Sequence, residues 1–462
     1  MSENSFQTGF LSWKPKRETL NRPLYLSLAN ALEADILNGT LAAGTRLPPQ
    51  RDLADYLEIN FTTVTRAYDL CREKGLIYGV VGRGSYVAMQ RSERSAGRAV
   101  RFDFGDVNGF DTLTSPLIEA TRAVLSKGYL ERLYNYAEPA GHPHQRAAGQ
   151  LWLSQMGVKS DVEHTVIFSG AQNIISTALA TLFKLGDCVA VDEFTYPNLI
   201  GAARLFHIQL IPIPGDSGGM IPEELENICG KRRISGLFLM PNCSNPTTVT
   251  LSNARRTALA EIAERHNLTV LEDDTMGGMR SYADLIPFHT LLPEQTVFIA
   301  GSTKCLGSGL RVAFAAIPDA YLQPMRYGLQ HLNIKTSSLD AEIITELILS
   351  GKASEIMAQK ESLAQQANRI CNAVLQQPGD PMVRPAFFCW HRLPDGRYSG
   401  QDLEEKLESA GFRVYHANRF QCKRETAGNY LRLSLSSAAD LSSLGNGLKS
   451  LQKKLQEFFA PE

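Results

Sequence analysis

The sequence lacks any run near the roughly 20 apolar residues that a membrane helix needs. Its start, MSENSFQTGF, also lacks the basic-then-apolar layout of a signal peptide. Neither a membrane-spanning nor a secreted protein is expected, which leaves the cytoplasm as the default. Close cysteine pairs are missing too. Cys71, Cys188, Cys229, Cys243, Cys305, Cys371, Cys389 and Cys422 are scattered, with no histidines at metal-ligand spacing. No metal site and no disulfide framework is expected, and the thiols read as small buried apolar groups. The formal net charge is only -1, so the chain as a whole gives no electrostatic pointer to a partner. No internal repeat is visible. What remains is a globular composition, 44% hydrophobic and 21% charged, spread over 462 residues. Single cores stop growing at roughly 250 to 300 residues, so two or more domains are expected.

Charge is not evenly divided. The first 101 residues hold 14 Lys and Arg against 10 Asp and Glu, and the remainder is acidic. In PLYLSLANALEADILN (23–38), Leu24, Leu28, Ala31, Leu32 and Ile36 recur at helical spacing and Gly39 follows as a stop. A second short helix is expected from Gln50 to Leu57, with Pro48 and Pro49 tolerated at its entry. Asn60 is placed to cap a third helix, FTTVTRAYDLCREKG. Its Val64, Ala67, Tyr68 and Cys71 face inward, Thr62, Thr63 and Arg66 are left available, and Gly75 ends it. LIYGVVGRGSYV then alternates around glycines, as a small hairpin does. Residues 1–88 therefore read as a winged helix-turn-helix. Residues 89–101, small and charged without an apolar period, suit a linker.

From residue 102 to 462 the pattern changes. Short β-branched runs, TVIFS (165–169), CVAVDE (188–193), GLFLM (236–240), LTVLEDD (268–274), TVFIAG (296–301) and VAFAAI (312–317), alternate with helical segments. This predicts an α/β domain, a mostly parallel sheet covered on both faces. A large lobe is expected over about 150–335, and a smaller α+β lobe from 102–149 and 336–462.

In such sheets ligands bind beyond the carboxyl ends of the strands, and the chemically informative residues lie there. Lys304 follows TVFIAG, and Arg311 comes seven residues later in a glycine-containing turn. A lone lysine there is usually a surface residue. Beside Arg311 and its glycines, it fits a group that holds a cofactor aldehyde as a Schiff base while the arginine grips a phosphate. Such a cofactor also needs a carboxylate at its ring nitrogen, for which Asp273 ends a strand. It needs an amide at its ring hydroxyl, where Asn245 lies in PNCSNPT, and an aromatic plane over the ring, where Tyr196 lies in EFTYP. Ser169, Gly170, Ala171 and Gln172 join a strand to a helix whose first amides can take a phosphate.

Across nearly its full length the chain resembles the MocR (GabR-like) regulators, which join a GntR-type winged helix to a fold type I aminotransferase domain. The resemblance rests on AGTRLPPQRDLADYL, TTVTRAYDL and GRGSYV in the first part. In the second it rests on YAEPAG (136–141), NPT, LEDD, STK, GLR and LRLS (431–434), in family order. It implies pyridoxal 5'-phosphate attached to Lys304, with Asp273 at the pyridine nitrogen, Asn245 near the ring hydroxyl and Tyr196 on the ring. Arg311, Gly170, Ala171 and Thr303 would surround the phosphate. Arg432 would clamp a ligand carboxylate, and Tyr136 would reach a neighbouring subunit's cofactor in a homodimer.

Three positions depart from the family pattern in the cofactor domain. Gly301 stands where many relatives have serine, Met276 where a tyrosine is common, and Thr248 where the motif ends in glycine. In the third helix Phe61 replaces the usual arginine and cannot donate to guanine. Contact with double-stranded operator DNA would then fall to Arg51, Thr62, Thr63, Arg66 and Arg83, mostly through phosphates. The resemblance implies a regulator that senses a small amine or amino acid. The other reading is a working aminotransferase of the aminoadipate or kynurenine type with a secondary DNA-binding part. A complete winged helix, which such an enzyme does not need, separates the two.

Overall fold

The computed structural model describes residues 11–37, 39–80, 82–88, 100–110, 114–276, 278–375, 384–394, 398–422 and 428–460. The chain divides into two compact units, Met1–Ala99 and Val100–Glu462. Most of the expected linker, 89–99, lies outside the described residues.

The first unit has three helices, α1 (Leu24–Leu37), α2 (Gln50–Leu57) and α3 (Phe61–Glu73). A hairpin follows, β1 (Ile77–Val80) pairing antiparallel with β2 (Gly84–Val87). Leu28, Leu32, Leu53, Val64, Ala67, Tyr68 and Cys71 form its core at 1% exposure or less. Burial of each leucine contributes roughly 1.5–3 kcal/mol. Glu58 takes a left-handed conformation (φ 51°) that turns α2 into α3. The Asn60 side chain then caps α3, accepting from the Thr62 amide at 2.9 Å. The buried Tyr68 hydroxyl donates to the Pro48 carbonyl at 3.0 Å, tying α3 to the entry of α2. Arg46 bridges to Tyr86, so the hairpin gains a third edge from a segment that reads as a turn in the sequence.

The second unit is built on a seven-stranded sheet. Its strands are β3 (Thr165–Phe168), β4 (Cys188–Asp192), β5 (Gln209–Ile213), β6 (Gly236–Leu239), β7 (Thr269–Asp274), β8 (Thr296–Gly301) and β9 (Ala313–Ala316). The spatial order is β3-β9-β8-β7-β6-β4-β5. All run parallel except β9, which is antiparallel to both neighbours. The reason is length: a parallel return needs a crossover of a dozen or more residues, and only 302–312 separate β8 from β9. That short return carries Lys304 and Arg311. Strand β5 is not evident in the sequence because QLIPI begins polar and contains proline. It lies at the sheet edge, where Pro212 is tolerated.

A smaller antiparallel sheet holds β10 (Phe388–Arg392), β11 (Tyr415–His416) and β12 (Tyr430–Ser434), with β12 central. In its register Arg432 lies opposite both Trp390 and Tyr415. The first described segment of this unit is strapped to that lobe. Phe102–Asp103 pairs with Phe412–Arg413, and the Ser434 amide donates to the Phe104 carbonyl at 2.8 Å. No described helix is long and apolar enough to cross a membrane.

Candidate functional site

Because the parallel strands share a direction, the residues just past β3, β4, β6, β7 and β8 gather at one end of the sheet. There the second unit holds a cavity of about 680 Å³. Lys304, Thr303, Arg311, Asp273, Asn245, Tyr196, Ala171 and Arg432 all line it. Gly170 adjoins it through Arg311: its backbone (φ +86°) favours glycine, and a Cβ there would lie 2.9 Å from the guanidinium and push it aside. Tyr136 stands apart and is 86% exposed.

Asp273 is buried, and its Oδ1 has no hydrogen-bond partner among the described residues. Burial, and then neighbouring Asp274, push its carboxyl up to about 7. An orphaned buried acceptor of this kind costs stability unless a donor arrives. Lys304 Nζ donates to the Val107 carbonyl, while the Lys304 carbonyl accepts from the buried Lys360 at 2.9 Å. Gly109 (φ +64°) lets the strap pass so closely that a Cβ there would meet the Lys304 carbonyl oxygen at 2.4 Å.

The helix Ala171–Thr181 starts at Gly170 without a side-chain cap, and its first residues line the cavity together with Arg311; uncapped amides beside a guanidinium suit an anion. Tyr196 accepts from Asn198 Nδ2 at 2.9 Å, and burial raises its phenol pKa. Arg432 is 6% exposed, and burial pulls its guanidinium down to about 10. It donates to the Gly105 carbonyl and, at 3.4 Å, to Asn245 Oδ1, while its Nε is unpartnered among the described residues. The Tyr415 and Phe420 rings lie 5.1 and 5.3 Å from it.

This set fits pyridoxal phosphate. An amine for the aldehyde, an orphaned carboxylate for the ring nitrogen, an aromatic ring, an amide, and a glycine-arginine anion cradle stand around one cavity of adequate size. The departures are also placed. Met276 is buried and lines the cavity, and Gly301 has open space, with nothing nearer than 3.9 Å to an added Cβ. Thr248 holds φ +61°, a left-handed conformation that disfavours β-branched residues.

Sequence reasoning missed Asp106, Val107, Tyr415 and Arg419, which also line the cavity. Tyr415 donates to Asp106 Oδ1 at 2.8 Å. No motif marks them, because they come from an irregular strap, a two-residue strand and a four-residue 3-10 turn.

In the first unit Arg51, Thr62, Arg66 and Arg83 are exposed and Thr63 is half-buried. Thr62 also donates its hydroxyl to Asn60 Oδ1 at 2.8 Å, so it is partly committed to the cap. Arg51 lies over the exposed Phe61 ring at 5.8 Å and Arg66 over Tyr25 at 4.4 Å. Arg83 sits at the hairpin tip between Gly82 and Gly84, both with positive φ.

Comparisons with known proteins agree with this division. Residues 100–451 match the aminotransferase class I and II family, and residues 24–87 match the gntR family of bacterial regulatory proteins. The chain is 32% identical over 462 residues to YdeF, an uncharacterised HTH-type transcriptional regulator of Bacillus subtilis (strain 168). That alignment covers 99% of this chain and 100% of the relative. It is 27% identical to MocR, a probable rhizopine catabolism regulatory protein of Rhizobium meliloti, over 64% of this chain and 66% of that one. Among solved structures, LysN, the α-aminoadipate aminotransferase of Thermus thermophilus, superposes with a TM-score of 0.70 at 22% identity. It covers 78% of this chain and 93% of that one, and at this identity the likeness concerns the fold alone.

Proposed function

The chain belongs to the aminotransferase class I and II family, with a gntR-family module ahead of that domain; from that premise we propose a DNA-binding transcription regulator that uses pyridoxal phosphate to sense a small amine or amino acid. The observation that carries this reading is the cavity that Lys304, Arg432 and the orphaned Asp273 carboxylate line together, in a chain that also holds a winged helix. When bound, the cofactor supplies an aldehyde that can be exchanged between Lys304 and a ligand amine. Asp273 holds the pyridine nitrogen protonated. Tyr196 covers the ring, Asn245 meets its hydroxyl, and Thr303, Gly170, Ala171 and Arg311 hold the phosphate. Arg432 takes the ligand carboxylate.

In the cofactor-free chain the strap engages both cations, Lys304 through Val107 and Arg432 through Gly105. Cofactor attachment at Lys304 and a ligand carboxylate on Arg432 would each compete with the strap, while release of Lys304 by a ligand amine would return its Nζ to the Val107 carbonyl. That strap follows directly, in sequence, the stretch leading from the DNA-binding module. A ligand can shift DNA affinity only by its different affinity for two arrangements of the dimer, and coupling of about 1–3 kcal/mol suffices for a switch. We further assign a cytoplasmic homodimer in which Tyr136 reaches the neighbouring cofactor. Its two modules contact DNA through Arg51, Thr62, Thr63, Arg66 and Arg83.

The test is a titration of the purified chain against its own upstream DNA, with and without pyridoxal phosphate and a panel of amino acids, following DNA affinity and cofactor absorbance together. Specific affinity that shifts with cofactor or amine is expected. Keto-acid product without specific DNA binding would replace this reading with the aminotransferase one.

A further inference from the structure

A second cavity, about 500 Å³, lies between the carboxyl end of the large sheet and the small lobe, sharing only Met240 and Phe388 with the cofactor cavity. We propose that it is a separate binding site for a small organic cation, with Asp192 as the counter-charge and Trp390, Tyr430 and Phe194 as the walls. Asp192 ends β4 and accepts one long hydrogen bond, from Ser244 Oγ at 3.4 Å. Burial pushes its carboxyl up to about 7, and among the described residues no neighbouring cation offsets that. The Trp390 and Tyr430 rings stack at 5.0 Å and 6°, and Phe194 stands edge-on to Trp390 at 5.3 Å.

A carboxylate floor with aromatic walls selects by charge and shape. An anion is repelled by Asp192, and a neutral apolar molecule leaves that carboxylate without a partner. A substituted ammonium gains both an ion pair with Asp192 and contact with the aromatic surface that the Trp390–Tyr430 stack turns to the cavity. Arg392 also lines the cavity and is exposed, whereas Asp192 is half-buried.

The site is wired to the cofactor contacts by backbone. Asp192 precedes Tyr196 by four residues, and Ser244 precedes Asn245. The segment between Asp192 and Tyr196 is pinned to the small lobe, since the Thr195 amide donates to the Phe420 carbonyl at 2.8 Å and Phe194 bridges to Gln421. Occupancy would therefore act on the ring-covering tyrosine and on the amide at the ring hydroxyl.

Choline is the probe. Its nitrogen carries no hydrogen to exchange, so it cannot react with the cofactor at Lys304. Of the three tryptophans, Trp13 and Trp152 are buried at 4% and 0%, and Trp390 alone lines this cavity. Choline titrated into the full chain should change tryptophan emission saturably. Asp192→Asn should raise its Kd at least tenfold, and Trp390→Phe should remove the emission change. The neutral isostere 3,3-dimethylbutan-1-ol should bind wild-type protein at least tenfold more weakly, a comparison that holds even if Asp192→Asn fails to fold. No saturable response, equal binding of the neutral isostere, or a folded Asp192→Asn variant with unchanged Kd would each overturn the proposal.

Discussion

The two units place their functional groups in opposite ways. In the first, Arg51, Thr62, Arg66 and Arg83 stand on the outside of a core that is almost wholly apolar. In the second, Asp273 and Arg432 are buried around a cavity, and their polar atoms Oδ1 and Nε lack partners among the described residues. Exposed cations are solvated, interchangeable and screened by salt, so each one matters modestly. Buried groups carry a desolvation cost that only the right ligand offsets, so each one matters greatly. Water can thus satisfy the exposed groups of the first unit, while the buried groups of the cavity are left short of partners.

The sharpest contrast comes from Lys304→Ala. It should abolish the visible absorbance of bound pyridoxal phosphate while leaving the circular dichroism of the fold intact, and it should end the response of DNA affinity to amines. An unchanged spectrum would remove Lys304 from the site. Next in size is Asp273→Asn. In the cofactor-free chain the Asp273 carboxyl is raised from 3.8 to about 7, so the folded state holds its proton more tightly than the unfolded state does. The penalty is absent below the unfolded value, grows as pH rises, and is complete above about 7. Asp273→Asn should therefore stabilise the cofactor-free chain at pH 8 by about 2–4 kcal/mol and have little effect near pH 4. Cofactor affinity should fall about 100-fold through loss of a charged hydrogen bond. Denaturant titrations at both pH values decide this, and equal curves at pH 8 would refute the orphaned-carboxylate account.

Much of this contrast is legible in the amino-acid sequence alone. The helix limits Gln50–Leu57, the Asn60 cap and the inward stripe of α3 follow from local rules, because a short helical unit is specified by neighbours in sequence. The cavity residues expected from the large sheet are legible for a different reason: they lie in the loops at its strand ends, and parallel strands bring those ends together. What stays hidden depends on contacts distant in sequence. Val107 meets Lys304 across 197 positions and Gly105 meets Arg432 across 327, with no periodic signal in either partner. Asp192 reads only as the end of a strand, because its aromatic neighbours Trp390 and Tyr430 come from the other lobe.

Arg51→Ala tests the other half of the comparison. A single exposed phosphate contact should cost about tenfold in operator affinity and lower the slope of log affinity against log salt by about 1, without altering cofactor absorbance. If this one change abolished DNA binding altogether, the surface would be as concentrated as the cavity and the contrast would break.

The smallest effect is expected at Gly301, where the cavity falls short of the family pattern. Gly301 ends β8 and lines the cavity three residues before Lys304. A Cβ there would meet only the Ala171 Cβ and the Thr275 methyl, both at 3.9 Å, which is ordinary contact. Its backbone is not left-handed, so a side chain brings no strain. Gly301→Ser should therefore be accommodated and place a hydroxyl beside the helix start that faces the phosphate. One added hydrogen bond is worth about 0.5–1.5 kcal/mol net, or roughly two- to tenfold in cofactor affinity. Competition between wild-type and variant protein for limiting pyridoxal phosphate would measure it. A variant that bound no more tightly would mean that the phosphate sits out of reach of residue 301 and leans on Arg311 and the helix amides instead.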